Sequence, residues 1–299
     1  MMTNTIPKHG LLVLDKPRGP SSHQVTAWAG DILGARVGHA GTLDPGVSGV
    51  LVVMIGNAVR LAPVLLSEDK EYIAVIRFHG NVREDAVQRV AKEFTGRIYQ
   101  RPPLKSAVAR NLRIRTVHAL DVVEMSGRRA VLRITCDAGT YIRSLCHHMG
   151  LALGCGAHME ELRRTRSGIF PEDSAHTLAE LKDATDLARQ GDSRALAGMI
   201  LPPETVAGGL PTVIVRDSAV DALCHGAALA GVGVVRQDAF LKGDVVAMLT
   251  SKGELVCIGE AIVSSSMVPP GTHGLVAAPR SVFLAPGVYP RVWRKKIRV

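Results

Sequence analysis

Aromatic side chains are scarce, with two Trp, four Tyr and five Phe making up 4% of the 299 residues. A binding face built from many stacked rings is therefore excluded, and any stacking on a ligand falls to single rings. Cysteines are few and odd in number (Cys136, Cys146, Cys155, Cys224 and Cys257), with no Cys-x-x-Cys pair. That spacing speaks against a disulfide framework and against a zinc site, and predicts small core thiols in a reduced, cytoplasmic chain. The longest apolar run, Val50 to Ile55, is far short of the ~20 residues of a membrane span. Residues Met1 to Gly10 lack an apolar signal core, so neither membrane insertion nor export is expected. Acidic residues are outnumbered, 27 Asp and Glu against 36 Lys and Arg, for a formal charge of +9. Such a charge fits an anionic partner, nucleic acid before membrane, or simple solubility.

The pattern of apolar residues predicts a mixed α+β region. Leu11–Leu14 reads as a strand closed by Asp15-Lys16-Pro17-Arg18-Gly19-Pro20. Ser21 or Ser22 can cap a helix with Val25, Trp28, Ala29 and Ile32 on its apolar face, stopped by Gly34. A glycine-rich loop, Val37 to Gly49, feeds the buried strand Val50–Ile55. Glu71–Phe78 alternates as a strand, and Val87, Val90, Ala91 and Phe94 mark a helix. Strands near Thr116–Glu124 and Ala130–Cys136 are joined by a Ser126-Gly127 hairpin. Thr140–Leu153 is helical, with Ile142, Leu145, Cys146 and Met149 inward. Beyond Leu201-Pro202-Pro203 and Gly208-Gly209 the chain turns to short, glycine-punctuated strands of a small barrel. The domains expected are 1–207 and 208–299.

Several residues can carry chemistry, each with a plain alternative. The loop Gly38-His39-Ala40-Gly41-Thr42-Leu43-Asp44-Pro45-Gly46 admits close backbone approach to a ligand. It lacks the Gly-Lys-Ser/Thr ending of a phosphate loop, and Asp-Pro-Gly is also ordinary turn chemistry. A working Asp44 needs a cation to hold it, and Arg143, at a predicted helix start, can supply one. Tyr72 fits either a pocket or a half-buried core. His39, His147 and His148 have no metal-ligand spacing. The basic residues cluster: Arg101, Lys105, Arg110, Arg113 and Arg115 in one acid-free span, then Arg163, Arg164 and Arg166, then Arg291, Arg294, Lys295, Lys296 and Arg298. Clustering favours contact with a phosphate backbone over scattered solubility charge.

Four ordered stretches carry a resemblance. They are Gly38–Val50; Tyr99–Val108, reading Tyr-Gln-Arg-Pro-Pro-Leu-Lys-Ser-Ala-Val; Gly139–Leu145; and Gly156–Gly168. With Asp15-Lys16-Pro17 upstream, the chain resembles the TruB branch of the pseudouridine synthases, and within it the archaeal-type, guide-RNA-dependent dyskerin family. The C-terminal region, closing on Gly287-Val288-Tyr289-Pro290, is similar to that family's RNA-binding PUA domain. The resemblance implies a mainly antiparallel central sheet flanked by helices, followed by a small β-barrel-like domain.

It also implies roles. Asp44 would act on the target uridine, Arg143 would pair with it, and Tyr72 would stack on the flipped base. Tyr141 and Leu162 would line the pocket, His39 and Thr42 would meet the RNA, and Lys16 with Pro17 would support the site from the first strand. Arg101, Lys105, Arg110, Arg113, Arg294, Lys295 and Lys296 would track RNA. No cofactor or metal is required, because the reaction is an isomerisation. Implied partners are an H/ACA guide RNA, target ribosomal and transfer RNA, and three small proteins. The segment His79–Asp85 is less acidic than the family pattern, a difference confined to a surface turn. The short Arg101–Arg115 segment replaces the larger RNA-gripping insertion of bacterial stand-alone enzymes, which favours a guided particle. The competing readings are a stand-alone synthase of the transfer-RNA T loop and a catalytically silent RNA-binding scaffold.

Overall fold

A computed structural model describes residues 9–101 and 111–291. Lys105, Arg110, Arg294, Lys295 and Lys296 lie outside the described residues. The elements run β1 (Gly10–Lys16), α1 (Ser22–Leu33), β2 (Val37–Ala40), β3 (Ser48–Ile55), α2 (Ala62–Ser67), β4 (Lys70–Phe78), α3 (Glu84–Glu93) and β5 (Gly96–Gln100). They continue with β6 (Arg113–Ser126), β7 (Arg129–Cys136), α4 (Ile142–Ala152), β8 (Ala157–Ser167), β9 (Phe170–Pro171), α5 (Leu178–Arg189), α6 (Arg194–Met199) and β10 (Ile200–Leu201). The remainder is β11 (Thr212–Val215), α7 (Asp217–Cys224), β12 (Leu229–Ala230), β13 (Val234–Gln237), β14 (Val245–Thr250), β15 (Leu255–Ala261) and β16 (Leu275–Val282).

The chain divides into two compact units, one built mainly from residues 12–53 and 65–199, the other from 54–64 and from Ile200 onward. By packing, residues 54–64 and 200–207 group with the second unit. There the Arg60 guanidinium donates to Val282 O at 2.6 Å, and Leu255 N donates to the Glu204 carboxylate at 3.0 Å. Residues Pro203–Gly209 form a 3-10 helix.

In the first unit the sheet runs β1-β3-β8-β4-β7-β6-β5, with β2 on β3 and β9 on β8. Pairing is antiparallel among β4 to β8, and parallel between β3 and β8. The period-two pattern of β4 turns Ala74, Ile76 and Phe78 to one face, where all are buried against Val87 and Val90 of α3 and Leu145 and Met149 of α4. Tyr72 packs at the edge of that cluster. Burial pushes the Cys136 and Cys146 thiols up to about 12, so neither is a reactive thiolate.

Two sequence expectations are corrected. Helix α1 does carry a Ser21–Gln24 capping box and ends on Gly34 with φ +63°. Its buried face, however, is Ser22, Val25, Thr26, Ala29 and Leu33, and Trp28 is exposed. Polar Ser22 and Thr26 disguise this face in the sequence, so that a stripe through Trp28 looks the more apolar. Second, the arginine-rich stretch 163–166 lies within β8, a central strand rather than a phosphate-facing surface. Arg164 is buried, and Arg163 is spent on Asp15 and Glu172 at 2.8–3.1 Å.

The second unit is a six-stranded sheet ordered β12-β16-β15-β14-β11-β13. Its ladders are broken by bulges, which bend short strands toward a barrel around Val213, Val220, Met248, Val256 and Val276.

Candidate active site

Asp44 sits between β2 and β3 on a loop held at several of its backbone groups. The Arg164 guanidinium donates to Gly41 O at 3.0 Å and to Val50 O at 2.7 Å. The Ser22 hydroxyl donates to Leu43 O and accepts from Leu43 N, at 2.9 and 2.8 Å. Val47 N donates to Asp44 O, Gly19 N to Pro45 O, and the Lys16 ammonium to Val47 O at 2.7 Å. Gly41 has φ +84°, a conformation side-chain-bearing residues rarely adopt. A Cβ on Gly49 would stand 2.2 Å from Arg164 O, so glycine there lets β3 and β8 approach. The loop is a fixed platform, and the Asp44 carboxylate projects from it.

Arg143 meets that carboxylate from the first turn of α4, Nη2 to Oδ2 at 2.5 Å. Helix α4 is preceded by Tyr141 at its N-cap, whose backbone is held twice by Gln100. Tyr141 N donates to the Gln100 side-chain oxygen at 2.9 Å, and the Gln100 amide donates to Tyr141 O at 3.2 Å. The ion pair opens on a cavity of about 950 Å³ also lined by Thr42, Tyr72, Tyr141, Leu162, Arg113 and Arg115. That volume is in the range of sites that enclose a small ligand, and a nucleoside fits it.

Two buried cations also line the cavity, Lys70 and Arg164. Lys70 donates to Leu65 O and Glu68 O, and burial together with the Arg164 charge lowers its pKa to about 8. Arg164 is 1% exposed and lies against Tyr72, its partner across the β4–β8 ladder. Burial raises the Tyr72 pKa, with the Arg164 charge opposing it, so the phenol is protonated at neutral pH. Sequence reasoning missed Arg164, Ser22 and Gln100. Arg164 drew notice only within the basic run Arg163-Arg164-Thr165-Arg166 on β8, and Ser22 only as a helix cap.

Other expected residues fall differently. Lys16 is buried and does not line the cavity, so it supports the loop rather than touching a ligand. His39 is on β2, not in a loop, and is also outside the lining. Its ring stands edge-on to His23 at 4.9 Å, and burial, then His23 and Arg164, lower its pKa. Arg101 is exposed. At the rim, His118 bridges Asp137 at 2.9 Å and Asp69 at 3.4 Å. These three could ligate a cation, yet Asp137 also accepts from Thr116 N at 2.6 Å, so contacts within the protein account for the cluster.

Against known proteins, residues 31–142 match the N-terminal domain of TruB family pseudouridylate synthases, and 143–207 match the C-terminal domain of tRNA pseudouridylate synthase B. Residues 211–283 match the PUA domain. A probable tRNA pseudouridine synthase B of Methanothermobacter thermautotrophicus is 50% identical over 288 residues, covering 95% of this chain and 89% of that protein. One of Pyrobaculum aerophilum is 49% identical over 294 residues, covering 97% and 88%. Among solved structures, the corresponding chain of a Cbf5-Nop10-Gar1 complex is 46% identical with a TM-score of 0.91, covering 95% of this chain and 88% of that one. That of an H/ACA particle bound to a substrate RNA containing 2'-deoxyuridine is 44% identical, with a TM-score of 0.88 and the same coverage.

Proposed function

The chain belongs to the TruB family of pseudouridine synthases, which isomerise uridine in RNA, and on that premise we propose that it is the catalytic subunit of a guide-RNA particle with Asp44 as the reacting carboxylate. The Asp44–Arg143 pair at the mouth of the cavity carries this reading. A uridine inside structured RNA must leave its stack to reach that pair, at a cost of a few kcal/mol that pocket contacts offset. Tyr72 and Leu162 offer a ring and an apolar wall to the extruded base. Asp44 acts as nucleophile or base while the C1'–N1 bond breaks. The uracil turns, C5 bonds to C1', and the proton lost from C5 is balanced by one gained at N1. Nothing is oxidised and no group is transferred, so the chain's own residues suffice.

The guided role is supported by likeness to the H/ACA and Cbf5-Nop10-Gar1 structures, and brings a guide RNA, target RNA and small accessory proteins as partners. The names of the curated relatives favour a second reading, direct action on transfer RNA. Arg101 and Arg113, with Lys105, Arg110, Arg294, Lys295 and Lys296, are proposed as RNA contacts, His39 and Thr42 as residues meeting the extruded nucleotide. Pseudouridine formation on transfer RNA and on guide-matched RNA, each with and without guide RNA and accessory proteins, separates the two. Turnover of guide-matched RNA only in the full assembly is expected. Equal turnover of transfer RNA by the chain alone, with none on guided targets, would overturn the guided role.

A further inference from the structure

The two halves of the ion pair come from segments 99 residues apart, and each is presented by the same device. Leu43, one residue before Asp44, has both its N–H and its C=O bound by the single hydroxyl of Ser22, at 2.8 and 2.9 Å. Tyr141, two residues before Arg143, has both backbone groups bound by the single amide of Gln100, at 2.9 and 3.2 Å. Ser22 is 0% exposed and Gln100 2%. A side chain that binds both backbone groups of one residue fixes its rotation as well as its position. A fully buried hydroxyl or amide is retained in a core only where its hydrogen bonds are satisfied.

We propose that Ser22 and Gln100 are a matched pair of positioning residues, each setting one member of the Asp44–Arg143 ion pair. The proposal rests on the assignment of Asp44 and Arg143 above. Neither residue lines the cavity, so each acts through the backbone it holds. Asp44 and Arg143 are 60% and 52% exposed at the side chain, so their mutual attraction is too weakly enforced to align them unaided. Alignment has to come from the backbones beneath.

The test uses the full chain, assembled with guide RNA and accessory proteins where turnover requires them, with substrate RNA varied from below KM to saturation. Ser22→Ala and Gln100→Met should each lower kcat by at least about 10-fold with KM unchanged, in the direction of the ~10²-fold that a 1 Å misplacement costs. Ser22→Thr, which keeps the hydroxyl, should recover most of the loss. In an Arg143→Met background Gln100→Met should cost little more, because its effect passes through Arg143. A loss that adds in full to Arg143→Met, or kcat within twofold of wild type in both single variants, overturns the proposal. Should Gln100→Met not fold, Gln100→Glu keeps an acceptor for Tyr141 N, and the Ser22 arm is independent of it. Asp44→Asn is the control. If that variant turns over, the site assignment fails; if it is dead while Ser22→Ala and Gln100→Met are fully active, only this inference fails.

Discussion

Asp44 and Arg143, 99 residues apart in sequence, touch at 2.5 Å where the loop after β2 faces the start of α4. In water such a pair contributes little to stability, but once RNA covers the cavity the local dielectric falls and the same contact strengthens. Asp44→Asn should reduce pseudouridine formation by about 10⁴-fold or more while RNA affinity stays within a few-fold. Arg143→Lys keeps the charge and loses the planar fork, so an intermediate loss of about 10-fold to 10²-fold is expected. Rates and filter-binding affinities measured on the same preparations check both.

Gly49 packs where a Cβ would sit 2.2 Å from Arg164 O, at φ +102°. Gly49→Ala should cost about 3 kcal/mol or more in unfolding free energy, through the backbone conformation and the forced separation of β3 from β8. Denaturant titration measures it, and a cost below about 1 kcal/mol would contradict the packing described.

Lys70 titrates at about 8 in the folded chain, against 10.5 for an ordinary lysine. Between those values the unfolded chain holds a proton the folded chain has released, so stability rises as pH increases through that window. The burial penalty is fully present below about pH 8. Lys70→Met should flatten the rise, by at most about 3 kcal/mol, in urea melts on either side of the window.

Arg113 and Arg115 line the cavity and stand two residues apart on β6. Replacing either by Gln should reduce the slope of log affinity against log salt by about 0.7–0.9 for each phosphate that the arginine neutralises. Neutralising Arg294, Lys295 and Lys296 together should lower it by about 2–3, one phosphate to each side chain. An unchanged slope in either experiment would remove those residues from the RNA track.

How far the sequence could be read follows from where polarity and burial agree. Strand β4 and helix α4 are legible because their apolar residues keep a clean period, Ala74, Ile76 and Phe78 on one and Ile142, Leu145 and Met149 on the other. Strand β8 is not, because Glu160, Glu161, Arg163, Arg164 and Arg166 give it the look of a solvated surface. Arg164 is buried there only because Gly41, Val50 and Tyr72, all distant in sequence, supply partners. Asp44 and Arg143 can be singled out by motif, and Tyr72 through the family resemblance. The residues that hold the ion pair in place, Ser22 and Gln100, carry no motif chemistry of their own and emerge only from the hydrogen bonds.

The Arg164 contacts also impose an order on biosynthesis. The carbonyls of Gly41 and Val50 wait for a donor made 123 and 114 residues later, on a strand that inserts between β3 and β4. A chain still on the ribosome therefore carries Asp44 and much of its basic surface well before it has a rigid loop, since pairings of such long range form late. The platform beneath Asp44 is thus finished by a central strand that is made more than a hundred residues after the loop it holds.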